Sequence, residues 1–184
     1  PLHFFLVWGL FLVLAVSFLL VQAKRLSWDR GRGLAILVVG IVLAPFVLWA
    51  GIEVFLSAYE GGVGSGLLAV GARFGKILPG LAFSGLALYS ALRWSRSGRS
   101  VHLTLTLVLL AVGFYLMVGS ELFRLMDVFN NRMNTVFKLY YQAWLLLAIV
   151  SAYGLYYVGS QRVGHSMLFR VGRYGWVGLV GFLV

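Results

Sequence analysis

Within residues 121–144 of this chain, ELFRLMDVFNNRMNTVFKLYYQAW, two acids, three bases and three asparagines are packed between long apolar runs. Asp127 and Glu121 are the carboxylates, able to act as general base or to hold a divalent cation through oxygen. On an unbroken helix they stand six residues apart and point about 120° apart, so the two alone would not chelate one ion. Arg124, Arg132 and Lys138 are suited to phosphate, the arginines through a planar fork of donors. Asn131 and Asn134 are suited to sugar hydroxyls or a phosphate oxygen. Spacing assigns no residue as a metal ligand. His3, His102 and His165 lie far apart, and the absence of cysteine excludes a thiolate site, a disulfide and a cysteine nucleophile.

At 100° per residue, 121–138 reads as an amphipathic helix. Leu122, Met126, Phe129, Met133 and Val136/Phe137 form an apolar stripe, while Asp127, Asn131, Asn134 and Lys138 form a polar line at i, i+4, i+7 and i+11. Asn130 and Asn131 could break it in two, since asparagine favours turns. Such a helix could lie flat in the interface with its charges among headgroups, or roof a cavity with its polar face turned inward. The run of Asn, Arg and Thr, which offers directed hydrogen bonds, favours the second arrangement. Asp127, Asn131, Asn134 and Lys138 are then expected to face inward together, with Arg132 beside them.

The elements that must position these groups are membrane helices. Of the 184 residues, 61% are hydrophobic and 11% charged, with a mean hydropathy of +0.96. A soluble domain carries roughly 25% charged residues, so this chain needs lipid around it. Five apolar runs are long enough to span, at about 3–22, 34–57, 74–94, 101–120 and 140–159, and a truncated sixth begins near Tyr174. Pro45 is expected to kink the second, and the third is open to an earlier start near Gly66, as an interfacial approach. The glycine-rich GGVGSG at 61–66 lacks the Lys-Ser/Thr of a phosphate loop and reads as an outer turn. Gly9, Gly40, Gly113 and Gly154 lie inside spans, where small residues allow close helix contact. Tyr140, Tyr141 and Trp144 read as an aromatic belt. The fold class is therefore all-α, a polytopic bundle forming a single transmembrane region over 1–184. The ends, at Pro1 and inside WVGLVGFLV, read as those of a piece of a longer membrane protein.

Charge orients it. Ten basic residues fall in the loops holding Lys24–Arg32, Arg93–Arg99 and Arg162–Arg173, with Asp29 the only acid there; five fall on the other side with four acids. The positive-inside rule makes the first set cytoplasmic and 121–138 extracytoplasmic, in a multi-pass protein of the plasma membrane. The net charge of +10 is thereby explained by topology and headgroups, and nucleic acid is excluded as a partner.

The same 121–144 stretch closely resembles the signature of a bacterial and archaeal polytopic membrane-protein family, DUF2298 or YYY. The matching residues are Glu121, Asp127, Arg132 to Lys138, the pair Tyr140–Tyr141 and Gln142 to Trp144, and the opening PLHFFLVWGLFL resembles the family's entry into a span. The resemblance implies a polytopic helical protein longer than this chain. Its architecture is similar to the GT-C membrane glycosyltransferases that use polyprenyl-phosphate sugars, in which outer acids serve as base or metal ligand and basic residues hold the lipid phosphate. Asp127 and Glu121, with Arg132 and Lys138, suit those roles, a divalent cation would be a cofactor of that chemistry, and the rest of the longer chain would complete the site. A transporter or channel for a polar solute is a second reading, and a non-catalytic scaffold a third. A transporter is expected to carry ionisable groups at mid-span on broken helices, whereas here the polar groups collect at one membrane face.

Overall fold

In hydrocarbon every backbone N–H and C=O must be satisfied within its own segment, which leaves the helix as the solution for these apolar runs. The computed structural model describes residues 2–26, 31–60, 62–98, 100–123 and 133–160, with the isolated residues 178 and 181. Among the described residues there are five long helices: α1 (Leu2–Lys24), α2 (Arg32–Glu60), α3 (Val63–Arg96), α4 (Val101–Leu122) and α5 (Met133–Ser160). Stretches of α2 to α5 are long and apolar enough to cross a bilayer, and Trp8–Lys24 of α1 forms a shorter apolar helix. The chain is thus a polytopic helical bundle and a multi-pass membrane protein. The sixth run, from Tyr174, lies outside the described residues.

The helices are arranged in the spatial order α2, α3, α4, α5, α1, so that α1 closes on α5. The seams of α2–α3, α3–α4 and α4–α5 are antiparallel. That of α1–α5 is parallel, stepping through Trp8–Tyr140, Phe11–Trp144 and Phe18–Tyr153 ring pairs with centroids 5.4, 5.4 and 5.7 Å apart. Phe18, Leu19, Leu107, Leu110, Leu147 and Val150 are fully buried where these seams meet. Leu48, Leu68 and Ile36 are among the large apolar side chains left exposed, as lipid contact requires.

Packing without a hydrophobic drive depends on close approach and interhelical hydrogen bonds. At Gly80 an added Cβ would lie 2.8 Å from Val118 Cγ2, and at Gly154 one would lie 3.0 Å from Phe18 Cβ, so α3–α4 and α1–α5 meet at these glycines. Gly113 faces Leu147 as expected, whereas among the described residues nothing lies within 4 Å of a Cβ built at Gly40. Ser84 Oγ donates to the Ala111 carbonyl at 2.9 Å, joining α3 to α4, and Ser151 Oγ donates to the Phe11 carbonyl at 3.0 Å, joining α5 to α1. Pro45 lies inside α2 without ending it. A helical proline deprives the carbonyl four residues earlier of its donor; that carbonyl is Ile41, and the Tyr115 hydroxyl of α4 donates to it at 3.4 Å.

The third span departs from expectation. It is a single helix from Val63, and only Gly62 of the described GGVGSG residues is outside it, at φ 138°. Gly66 is helical and packs on Ser57 and Val54, which is what its small size serves.

Candidate functional site

The polar stretch does not form one helix from 121 to 138. Glu121 and Leu122 are the last turn of α4 and residues 133–138 the first turns of α5. Between them Phe123 is extended, at φ −110° and ψ 149°, and its N–H closes α4 by donating to the Gly119 carbonyl at 2.9 Å. Helical periodicity carries no signal for the extended Phe123 and so runs 121 and 138 together. Arg124, Asp127, Asn131 and Arg132 lie outside the described residues. Asn134 is in the first turn of α5, with only its backbone among the described atoms.

The two described site residues with side chains are Glu121 and Lys138. Glu121 is half-buried and Lys138 exposed. Their helices approach at this end of the bundle: a Cβ on Gly119 would meet Leu139 Cδ1 at 4.0 Å. Lys138 nevertheless faces away from the packed stripe of α5, which is Ala143, Leu147 and Val150. Of the expected apolar stripe, Leu122 is buried on α4, Val136 is half-buried on α5 and Phe137 beside it is 70% exposed; Met126 and Phe129 lie outside the described residues. The aromatic belt also divides. Tyr141 is exposed, stacked between Phe137 and Trp144 at 6.4 and 6.5 Å, whereas Tyr140 and Trp144 pack against Trp8 and Phe11 of α1. Among the described residues no three side chains are grouped to hold a metal ion.

In sequence the polar connection 123–132 joins α4 to α5, with a carboxylate at the end of α4 and an ammonium in the first turns of α5. The model of the DUF2298 family, uncharacterized membrane proteins, matches residues 1–147 of the 184. The chain belongs to that family. The match takes in α1 to α4, the whole polar connection and the first half of α5. No curated protein and no solved structure matches this DUF2298 chain.

Other polar groups were read from sequence only as topology signals. At the same end as Glu121, Arg73 of α3 stands over the Trp49 ring of α2, 4.8 Å from its centroid. At the opposite end Arg25, Arg93 and Arg96 line a cavity of about 210 Å³. Finding this cavity needs α1 beside α3, a tertiary contact that loop-charge counting does not contain.

Proposed function

We propose that this DUF2298 chain carries part of the outer polar site of a membrane enzyme that transfers sugar from a polyprenyl-phosphate carrier. Supporting the reading is the order of the chain: the acids, guanidinium groups and amides of 121–138 fall in sequence between the body of α4 and that of α5, with Glu121 ending α4 and Lys138 in the first turns of α5, at the end opposite Arg25, Arg93 and Arg96. By the positive-inside rule that end is extracytoplasmic. Asp127 acts as the base or as ligand to a divalent cation, with Glu121 the second acid. Arg132 and Lys138, with Arg124, hold the phosphate, and Asn131 and Asn134 meet sugar hydroxyls. Because Lys138 stands on the side of α5 away from its packed seam, the phosphate approaches from that side and not from between α4 and α5. The likeness to GT-C enzymes is one of architecture, and architecture alone does not fix the reaction.

Profiling the lipid-linked glycans of a strain whose full-length gene is replaced by the Asp127→Asn variant tests this. The substitution keeps shape and removes charge, so the expected result is loss of the transferred glycan with normal amounts of protein in the membrane. Unchanged glycans and glycoproteins, in that strain and in one lacking the gene, refute it and favour transport of a polar solute.

A further inference from the structure

We propose that the half of the α2–α3 hairpin beyond Pro45 and Pro79 is a hinged arm, bending at those two prolines toward and away from the end of α4 that carries Glu121. Both prolines lie inside their helices. A helical proline removes the hydrogen bond to the carbonyl four residues earlier and crowds that carbonyl. α2 is therefore weakened at Ile41–Pro45 and α3 at Gly75–Pro79. One proline in a membrane helix is ordinary; here the two stand at one height. The antiparallel limbs set Val42 beside Gly85, Phe46 beside Phe74 and Val54 beside Gly66. Interpolating between these pairs puts Pro45 level with Pro79 to within about one helical turn. Two helices packed on each other bend together about a shared axis, and prolines at one height supply it.

The second observation is that the contacts of the hairpin change character at the same height. Toward Arg32 and Arg96 the limbs are fastened to α4. The Tyr115 hydroxyl donates to the Ile41 carbonyl at 3.4 Å, Ser84 Oγ donates to the Ala111 carbonyl at 2.9 Å, and the Phe83 and Phe114 rings stack with centroids 5.2 Å apart. Gly80 meets Val118 beside the hinge itself. Beyond the prolines the limbs are fastened to each other. Phe46 and Phe74 have centroids 5.0 Å apart, the Arg73 guanidinium stands over the Trp49 ring, and Gly66 packs on Ser57 and Val54. The arm, residues 46–60 and 63–78, is thus one piece about 23 Å long at 1.5 Å per residue. α4 ends at Leu122, about one turn past its contact with Gly80, so most of the arm rises beyond it. Arg73, Lys76 and Gly80 fall within about 60° of one another on α3. Bending toward α4 therefore brings two cations over Glu121 in its last turn. The hinge is a matter of packing and stands whatever the reaction at the polar connection.

The test measures distances by pulsed electron spin resonance in the full-length protein, held in lipid nanodiscs and free of other cysteines. Spin labels go on Leu68→Cys, in the arm, and Ile149→Cys, in α5; the control pair is Ile36→Cys and Ile149→Cys. All three parent side chains are exposed. A bend of about 20° acting over the roughly 17 Å from Pro79 to Leu68 moves the label by about 6 Å. The arm pair is therefore expected to show a distance distribution about 6 Å broader than the control pair. Pro45→Ala/Pro79→Ala returns both helical donors and should narrow it to the control width, with circular dichroism and gel filtration reporting an intact bundle. Should the double variant misfold, either single variant replaces it, because tied limbs stiffen together and each is expected to narrow the distribution. An arm pair as narrow as the control in the unaltered protein overturns the arm. A broad distribution that survives the alanine substitutions overturns the prolines as its hinge.

Discussion

Gly80→Ala should destabilise the bundle through a single atom. The new Cβ would lie 2.8 Å from Val118 Cγ2, where carbon atoms rest at about 3.5–4.0 Å. Relief of roughly 0.7 Å is therefore required. Val118 is 4% exposed, and the χ1 of a helical valine is held in one well, so rotation of the side chain offers no escape. The α3 and α4 backbones must part, stretching the Ser84–Ala111 hydrogen bond one turn along the same seam, now 2.9 Å. Overpacking of this kind costs about 1–3 kcal/mol, and alanine's better helix propensity returns about 1 kcal/mol, which leaves a net loss of up to about 2 kcal/mol. Val118→Ala removes the offending methyl, so in that background Gly80→Ala should be neutral or stabilising. The assay is reversible unfolding in bicelles of the wild type, both single variants and the double. A coupling of about 1 kcal/mol or more is expected for residues in direct contact. Additivity within about 0.3–0.5 kcal/mol would show that α3 and α4 do not meet at this pair, and would refute the seam.

The same unfolding measurement tests the proline in α2. Tyr115→Phe should cost about 0.6 kcal/mol, the usual size of a hydrogen bond between membrane helices, and should cost nothing when Pro45→Ala has returned a helical donor to the Ile41 carbonyl. For topology, cysteine placed at Asn131 should react with an impermeant thiol reagent on intact cells and cysteine placed at Ser97 should not; the opposite pattern inverts the bundle.

The spans were legible because apolar length is nearly sufficient in lipid, where no irregular backbone is stable. Their ends were less so. α5 begins at Met133 rather than near 140, since Asn134 and Lys138 are acceptable in helical turns outside the hydrocarbon, and a hydropathy count stops at the first polar cluster. α3 was placed short because glycines at 61–66 suggest a turn; Gly66 is helical to let α3 rest against Ser57 and Val54, a packing role that composition cannot separate from a bend. For the candidate site, the sequence located the polar connection by its residues but joined 121 and 138 in one helix, because periodicity carries no signal for the extended Phe123. The face of α5 carrying Lys138 is set by which side meets α4 and α1, a tertiary fact. The arginine cavity was illegible for a related reason: Arg93 and Arg96 share a stripe that can be read from spacing, but Arg25 joins them only through the fold.

The parallel seam between α1 and α5 has a consequence for how the molecule is made. α1 is synthesised before the other described helices, yet its principal partner begins more than one hundred residues later. The α2–α3 and α3–α4 hairpins can pair as they leave the ribosome, whereas α1 must wait in the bilayer with Phe18 and the Phe11 carbonyl facing lipid or a transient companion. Closing so long a loop is entropically dearer than closing a hairpin, and contacts of high sequence separation form late. Among the described helices the α1–α5 seam is therefore the last to form, and a chain truncated before Met133 would leave α1 only its smaller contact with α3.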